Sequence, residues 1–484
     1  MNIAWTIAAS DSSGGAGIEA DLAAFARFNI HGCAIITKIT AQNTKQIDKS
    51  YTVPLEIFRQ QINTLNADLK PQAIKISVLG DTEQLFILSS FLEDYEGYIV
   101  YDPVFISSTG TVLTDNNLVD QIKNKLLPQI TLLTPNIPEA ELLTGIKINT
   151  SEDIIIAAQI ILNLGVQNVL LKGGHADTEY ASDFFINNQQ SFWLTNNKTK
   201  SNIHGTGCHL SSAITANLAL GYNISDSVII AKRYISSAIR NSYKPIADIP
   251  QNYIPQFNFT YNNADMPILN FDYSRIKSCY TDMPFLDCGN LGLYAIVDNS
   301  DWVLRLSQYG VKTIQLRIKD LDKDVLDTEI VKSVAISRQY QVKLFINDYW
   351  QLAIKHKAYG VHLGQDDLHS ADIMAIKNNG LRLGISSHSH YELAIAIGYK
   401  PSYIALGPIY PTTSKIMPWQ PQGLQKVKEW MSVLNCTLVV IGGIGLDNID
   451  EVLSTGVKNI AMISAITKSS NPYETTQILL KKCQ

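Results

Sequence analysis

The feature that most limits what this chain can fold into is an alternation running through its last two-fifths. Short β-branched runs are each followed by a polar or glycine cluster and then by a helical period. Eight such runs stand at Leu293–Val297, Thr313–Leu316, Lys343–Ile346, Gly360–Leu363, Arg382–Ile385, Tyr403–Leu406, Leu438–Ile441 and Ile460–Ile463. Most are separated by about 20 residues of helical periodicity, as in Asp324–Arg338 and His369–Asn378. Eight strand–helix units in roughly 195 residues predict a compact (β/α)8 barrel. Chemistry in such a barrel gathers at the C-terminal ends of the strands, where the loops converge on one mouth. The polar clusters fall in that register: QLRIK from Gln315, Asn347 with Asp348, Gly364 to Asp367, Ser386, Gly407 with Pro408, Gly442 with Gly443, and Ser464.

These residue types suit two anion sites. Arg317, Lys319 and Lys415 are cations for phosphate oxygens, arginine through its planar fork. Asp348 and Asp367 are hard oxygen donors fit for Mg²⁺, which itself bridges phosphates. Alone, Asp348 reads as an ordinary loop carboxylate; a second aspartate and nearby cations favour the metal. Gly443, Ile463 and Ser464 follow the seventh and eighth runs, where barrels commonly hold a phosphate on backbone N–H groups. His362 reads as a packed structural histidine.

Up to about residue 245 the rhythm is strand, glycine turn, helix. TIAASDSSGGAGIEADLAAFARF predicts a strand, a glycine-rich turn and an amphipathic helix. A second glycine element, His204 to Cys208, precedes the helical LSSAITANLALG. N–H groups exposed at a helix start and approached closely through glycines form an anion hole. No G-x-x-x-x-G-K-[ST] occurs, so this is not a P-loop. DFFINNQQSFWLTNNKTK reads as an antiparallel hairpin. Asp102 and Glu139 point to the nucleotide or Mg²⁺ side, and His175 and His204 either cap loops or touch nucleotide.

The domains are predicted at 1–245 and 289–484, with 246–288 as an ordered connector. That stretch is rich in Pro, Asn, Asp and aromatics without a sustained period, and too aromatic for a disordered linker. With 484 residues, two or three domains are expected. A net charge of −5 offers no basic surface for nucleic acid or an anionic membrane. No apolar run reaches the ~18 residues that span a bilayer, and MNIAWTIAAS reads as a first strand, not a signal peptide. The six cysteines are scattered without C-x-x-C hooks, which suits free thiols in a cytoplasm. The partners expected are small molecules; a homo-oligomer is compatible with such a chain.

The second half resembles thiamin-phosphate synthase. LGLYAIVD, QLRIK, NDYWQLAIKHKAYGVHLGQDDL, GISSH, YIALGPIYPTTSK, VVIGGI and MISAI match that family's successive motifs in order. The resemblance implies that a pyrimidine diphosphate and a thiazole phosphate combine to thiamin phosphate and pyrophosphate. Gln315, Arg317, Lys319 and Asn347 would contact the pyrimidine diphosphate, Asp348 and Asp367 would hold Mg²⁺, and Ser386 would lie against the pyrimidine. Thr412, Ser414, Gly443, Ile463 and Ser464 would cradle the thiazole phosphate, with Lys415 near the diphosphate. Two departures are Ile318 where Glu is frequent and Ser414 where Thr is common.

The first half resembles the ribokinase-like fold, a three-layer α/β/α arrangement. Within it SGGAGIEAD, TAQNT, YDPV, LLTPNIPEA, LLKGGH and HGTGC are similar to hydroxymethylpyrimidine/phosphomethylpyrimidine kinase. Cys208 stands where many sugar kinases of this fold have Asp. The resemblance implies ATP as phosphate donor, two successive phosphorylations, and Asp21 and Gln42 on the aminopyrimidine edge. Lys172 with the Gly205, Thr206 and Gly207 amides would neutralise the transferring phosphate. Cys208 would be the base, its pKa expected to be lowered at a helix N-terminus; the plain alternative is a buried small hydrophobe. Ala9, Ser12 and Ile76 to Leu79 depart from the family on the pyrimidine side. Two rivals are a kinase half preferring pyridoxine-type alcohols and a non-catalytic sensor of thiamin precursors.

Overall fold

Strand β1 (Ile3–Asp11) carries the run Trp5, Thr6 and Ile7 with no exposure at all. A strand buried on both faces is the mark of a parallel sheet covered by helices. The computed structural model describes residues 1–106, 113–173, 179–199, 203–256, 259–319, 322–412 and 420–483. The chain divides into two units, Met1–Ile276 and Lys277–Gln484.

In the first unit β1 is followed by β2 (His31–Gln42), β3 (Ile47–Thr52), β4 (Ala73–Ile76), β5 (Tyr98–Tyr101), β6 (Leu132–Leu133) and β7 (Asn168–Leu171). The hairpin read from sequence forms β8 (Tyr180–Asn187) and β9 (Ser191–Asn197), and β10 (Ile268–Asn270) comes from the connector stretch. The sheet order is β10-β9-β8-β7-β6-β5-β4-β1-β2-β3. Its middle, from β2 to β7, is parallel, and β3, β8, β9 and β10 pair antiparallel. Helices Gly17–Arg27, Thr206–Ala219 and Ile224–Arg240 pack together as one group. Leu55–Asp68 with Thr82–Leu92, and Ile137–Thr144 with Ser151–Asn163, pack as further pairs.

The stretch 246–288 is divided between the units. Its first part belongs to the sheet unit: β10 pairs with β9, and Asp265 takes two bonds from Arg240 at 3.1 and 2.7 Å. Its last part seats on the barrel unit, where Lys400 Nζ donates to the Tyr280 and Asp282 carbonyls and Ser402 Oγ to that of Leu286.

The second unit is a closed parallel barrel of β11 (Leu293–Val297), β12 (Thr313–Leu316), β13 (Lys343–Asn347), β14 (Gly360–Leu363), β15 (Arg382–Ser387), β16 (Tyr403–Leu406), β17 (Thr437–Ile441) and β18 (Asn459–Met462). Tyr294, Phe345 and Tyr403 meet edge to face or tilted inside it, so the interior is filled, not open. The helix expected over His369–Asn378 is two helices, Gln365–Ser370 and Ile373–Asn378. Ala371 is extended, and the Asp372 carboxylate takes the Ala375 N–H and starts a new helix. Among the described residues, no helix is long and apolar enough to cross a membrane.

Candidate active sites

The sheet unit builds its site from two glycine elements almost 200 residues apart. Asp11, at the end of β1, accepts N–H bonds from Ser13, Gly15 and Ala16 at 2.9, 3.2 and 2.9 Å. His204 Nε2 lies 3.1 Å from the same carboxylate. Burial pushes the Asp11 carboxyl up, but His204 and Ser13 outweigh it and hold it below its usual value. The second element then closes on the first. A Cβ on Gly205 would stand 1.8 Å from the Gly15 carbonyl oxygen, and φ there is +76°, so only glycine fits.

Gly205 is the N-cap of the helix Thr206–Ala219, whose first turn faces a cleft of about 1350 Å³. Gln42, Lys172, Gly205, Thr206, Gly207 and Cys208 line it, as do Asp102 and Glu139. Lys172 Nζ is 2.8 Å from Asp102 Oδ1 and would be 3.2 Å from a Cβ on Gly207, so the ammonium lies over the helix start. Burial lowers the Lys172 pKa, yet Asp102 and Glu139 together raise it above normal. Glu139 is pushed up to about 7 by burial, with Lys172 opposing and Asp102 adding to it. Its carboxylate also accepts the Asn136 N–H at 2.7 Å in a capping box. His204 lines the cleft but is engaged by Asp11; His175 lies outside the described residues.

Two expectations change. Asp21 does not face the cleft: it is wholly buried and accepts from Lys75 Nζ (2.6 Å), Thr6 Oγ1 (2.6 Å) and Ser212 Oγ (2.7 Å). It is the counter-ion of a buried lysine beneath the site, not a pyrimidine contact. The Cys208 thiol is not lowered but raised to about 11, because burial outweighs Lys75 and the Gly17 N–H, and Asp21 and Asp102 add to the rise. Sequence reasoning missed Asp11 and Lys75. The single signal for Lys75 was a charge inside the apolar run AIKI, a pattern that a buried lysine shares with an edge strand.

At the barrel mouth, Asp348 and Asp367 come together. Burial, then Asp367, raise the Asp348 pKa to about 6 against Lys319 and Arg317, so all four groups lie within electrostatic reach. Asp348 sits at φ +65°, directly after β13, and Asp367 Oδ2 accepts the Gly364 N–H at 3.2 Å. No group of three or more His, Cys, Asp or Glu able to hold a metal occurs among the described residues. Ile318, between the cations, is buried with the core. Asn347 is buried at the end of β13. Gly443 backs onto the Pro411 carbonyl at φ +66°, and Ile463 and Ser464 follow β18. Thr412 lies on the loop after β16; Ser414 and Lys415 lie outside the described residues.

Deeper in the barrel, Gln315 Nε2 donates to the Tyr294 hydroxyl, and His362 stands between the Tyr403 hydroxyl and Ser386 Oγ. Burial, then Arg317 and His388, pull His362 down to about 3, so it is neutral.

Comparison with known proteins separates the halves in the same way. The phosphomethylpyrimidine kinase family model matches residues 11–250 and the thiamine monophosphate synthase model residues 293–466. The thiamine-phosphate synthase of Photorhabdus laumondii subsp. laumondii is 53% identical over 191 residues, covering 39% of this chain and 88% of that protein. A pyridoxal kinase from Staphylococcus aureus solved with ADP superposes with TM-score 0.51 at 32% identity, over 56% of this chain and 98% of that one. A phosphomethylpyrimidine kinase from Clostridium difficile is 40% identical over 49% of this chain and all of that one, with TM-score 0.45. The chain therefore belongs to the thiamine-phosphate synthase family through its barrel and carries a phosphomethylpyrimidine kinase domain ahead of it, a bifunctional enzyme of thiamine biosynthesis.

Proposed function

We propose that the first unit uses ATP to phosphorylate 4-amino-5-hydroxymethyl-2-methylpyrimidine and then its monophosphate. The barrel then joins the diphosphate to 4-methyl-5-(2-phosphoethyl)thiazole. The observation that carries the synthase half is the convergence of Asp348 and Asp367 beside Arg317 and Lys319. Two carboxylates driven together against their own repulsion suit a divalent cation, and a hard oxygen pair fits Mg²⁺. Asp348 and Asp367 would hold Mg²⁺, which would supply positive charge to offset that of the diphosphate.

The chain's own residues supply the rest. Arg317, Lys319 and Lys415 hold the diphosphate oxygens and stabilise charge as the methylene C–O bond breaks. Gln315 and Asn347 flank the same substrate, and Ser386 lies against its ring. Thr412, Ser414, Gly443, Ile463 and Ser464 fix the thiazole phosphate, so the thiazole nitrogen meets the methylene carbon and the new C–N bond forms there. No protein nucleophile is required.

In the kinase, Lys172 and the Gly205, Thr206 and Gly207 N–H groups neutralise the transferring phosphoryl group, and Gln42 orients the pyrimidine. Cys208 takes the hydroxymethyl proton. A thiol raised to about 11 is protonated at neutral pH, so this role draws on a minor thiolate. Incubation with the pyrimidine alcohol, thiazole phosphate and Mg·ATP should yield thiamin phosphate. Turnover of supplied pyrimidine diphosphate but not of the alcohol would remove the kinase half of the reading. The likeness to a pyridoxal kinase supports a second alcohol substrate of pyridoxine type, and a coupled assay with both alcohols decides between them. A cytoplasmic location, where ATP is at hand, is part of this reading.

A further inference from the structure

Across the barrel interior runs a line of hydrogen bonds joining two residues of the proposed pyrimidine site. Gln315 Nε2 on β12 donates to the Tyr294 hydroxyl on β11 at 3.2 Å. That oxygen is 2.8 Å from the Tyr403 hydroxyl on β16, which is 2.7 Å from Nδ1 of His362 on β14. His362 Nε2 is 2.8 Å from Oγ of Ser386 on β15. The line crosses five strands, and Gln315, Tyr294, Tyr403 and His362 are all buried.

Its donors and acceptors can be counted. Tyr294 accepts from Gln315, and among the described residues the Tyr403 oxygen is the one place left for its own hydrogen. Tyr403, having accepted, must pass its hydrogen to His362 Nδ1. Neutral imidazole has one donor and one acceptor nitrogen, so the proton is on Nε2 and is given to Ser386 Oγ. Running the line the other way would need the Gln315 amide turned over so that its oxygen takes the Tyr294 hydrogen, which gives up the bonds that its NH2 group makes to both tyrosine oxygens. With Ser386 already accepting, no other described group takes its hydroxyl hydrogen.

We infer that the line has a single sense, from Gln315 to Ser386, so that Ser386 presents a hydrogen to the substrate and selects an acceptor ring nitrogen of the pyrimidine. Tyr294, Tyr403 and His362 are then positioning residues for specificity. They never touch the reacting atoms. This rests on the proposed seat of the pyrimidine beside Ser386.

Nitrogen-15 NMR of the full chain with labelled histidine, His362 being assigned by comparison with His362→Gln, should show its proton on Nε2. A proton on Nδ1 overturns the inference. Kinetics provide the second arm. The pyrimidine diphosphate is compared with analogues bearing CH in place of each ring nitrogen. The native enzyme should reject one of them by roughly tenfold or more in kcat/KM, the loss expected when a buried donor is left unpaired. Tyr403→Phe keeps the packed ring and removes one link, so that discrimination should fall towards one while thiazole-phosphate affinity stays unchanged. Intact discrimination in Tyr403→Phe overturns the inference and leaves the pyrimidine seat standing. Unaltered pyrimidine-diphosphate kinetics in Ser386→Ala would instead overturn the seat itself, and the inference with it.

Discussion

In the kinase cleft and beneath it, opposite charges are already matched: Lys75 with Asp21, Lys172 with Asp102 and Lys232 with Asp183, all within 2.8 Å. At the barrel mouth like charges are brought together instead, Asp348 against Asp367, while Arg317 and Lys319 form no ion pair among the described residues. The contrast follows burial. A charge fully withdrawn from water costs several kcal/mol unless matched, so the deep kinase groups must come paired. The half-buried mouth can leave its charges for a ligand of opposite sign to complete. The kinase geometry is therefore set before substrate arrives, whereas the synthase site is finished by what it binds.

The largest expected effect tests whether the two chemistries are independent. Cys208→Ala should reduce phosphorylation of the pyrimidine alcohol by about 10²–10⁴, the usual loss with a positioned base, and leave synthase turnover of supplied pyrimidine diphosphate intact. Near-normal kinase turnover would remove Cys208 as the base.

Next come paired neutralisations. Asp21→Asn leaves Lys75 buried without its counter-ion and should lower the stability of the sheet unit by about 3–5 kcal/mol in denaturant titrations. Asp348→Asn removes one of two repelling carboxylates. It should not lower barrel stability, yet should reduce synthase kcat at least about tenfold with thiazole-phosphate affinity unchanged. Equal destabilisation by both would erase the contrast.

Acid should separate the sites further. Asp348, raised to about 6, holds a proton in the folded barrel that the unfolded chain has already lost between pH about 4 and 6. The metal-free barrel should therefore gain stability as pH falls through that window, while its Mg²⁺ half-saturation weakens by up to about tenfold per pH unit. The kinase should respond at the other end, its rate climbing as pH rises above neutrality because the Cys208 thiolate grows more populated. A kinase rate flat over that range would exclude a thiolate base.

The smallest effect is thermal. Mg²⁺ with pyrophosphate, near a hundred times its dissociation constant, should add about 2.7 kcal/mol to the barrel, a rise of roughly 5–11 °C. The same addition should leave the sheet unit's transition in place, and calorimetry of the full chain reads both.

Much of this architecture was legible because burial and period coincide. Each barrel strand ended within two residues of its apolar run, and the glycines at 205 and 207 announced a close backbone approach. What escaped was set by distant partners. Asp21 reads as a substrate contact through the family resemblance alone; Lys75, 54 residues on, decides otherwise. Cys208 sits at a helix start that favours a thiolate, but depth of burial wins, and depth is invisible in a motif. The break at Ala371 was hidden because both short helices keep one apolar rhythm. The Tyr294–Tyr403–His362 line depends on the barrel closing, which brings together residues up to 109 positions apart.

The three-residue strand β10 has a consequence for handling the kinase alone. Without it, β9 would end the sheet with Phe192, Trp193 and Leu194 on an open ladder of backbone donors and acceptors. Such a margin is an invitation to strand addition from another molecule. Residues 268–270 act as a selvedge, and a fragment trimmed at residue 250 would lose it and self-associate, whereas one ending at Ile276 would keep the border closed.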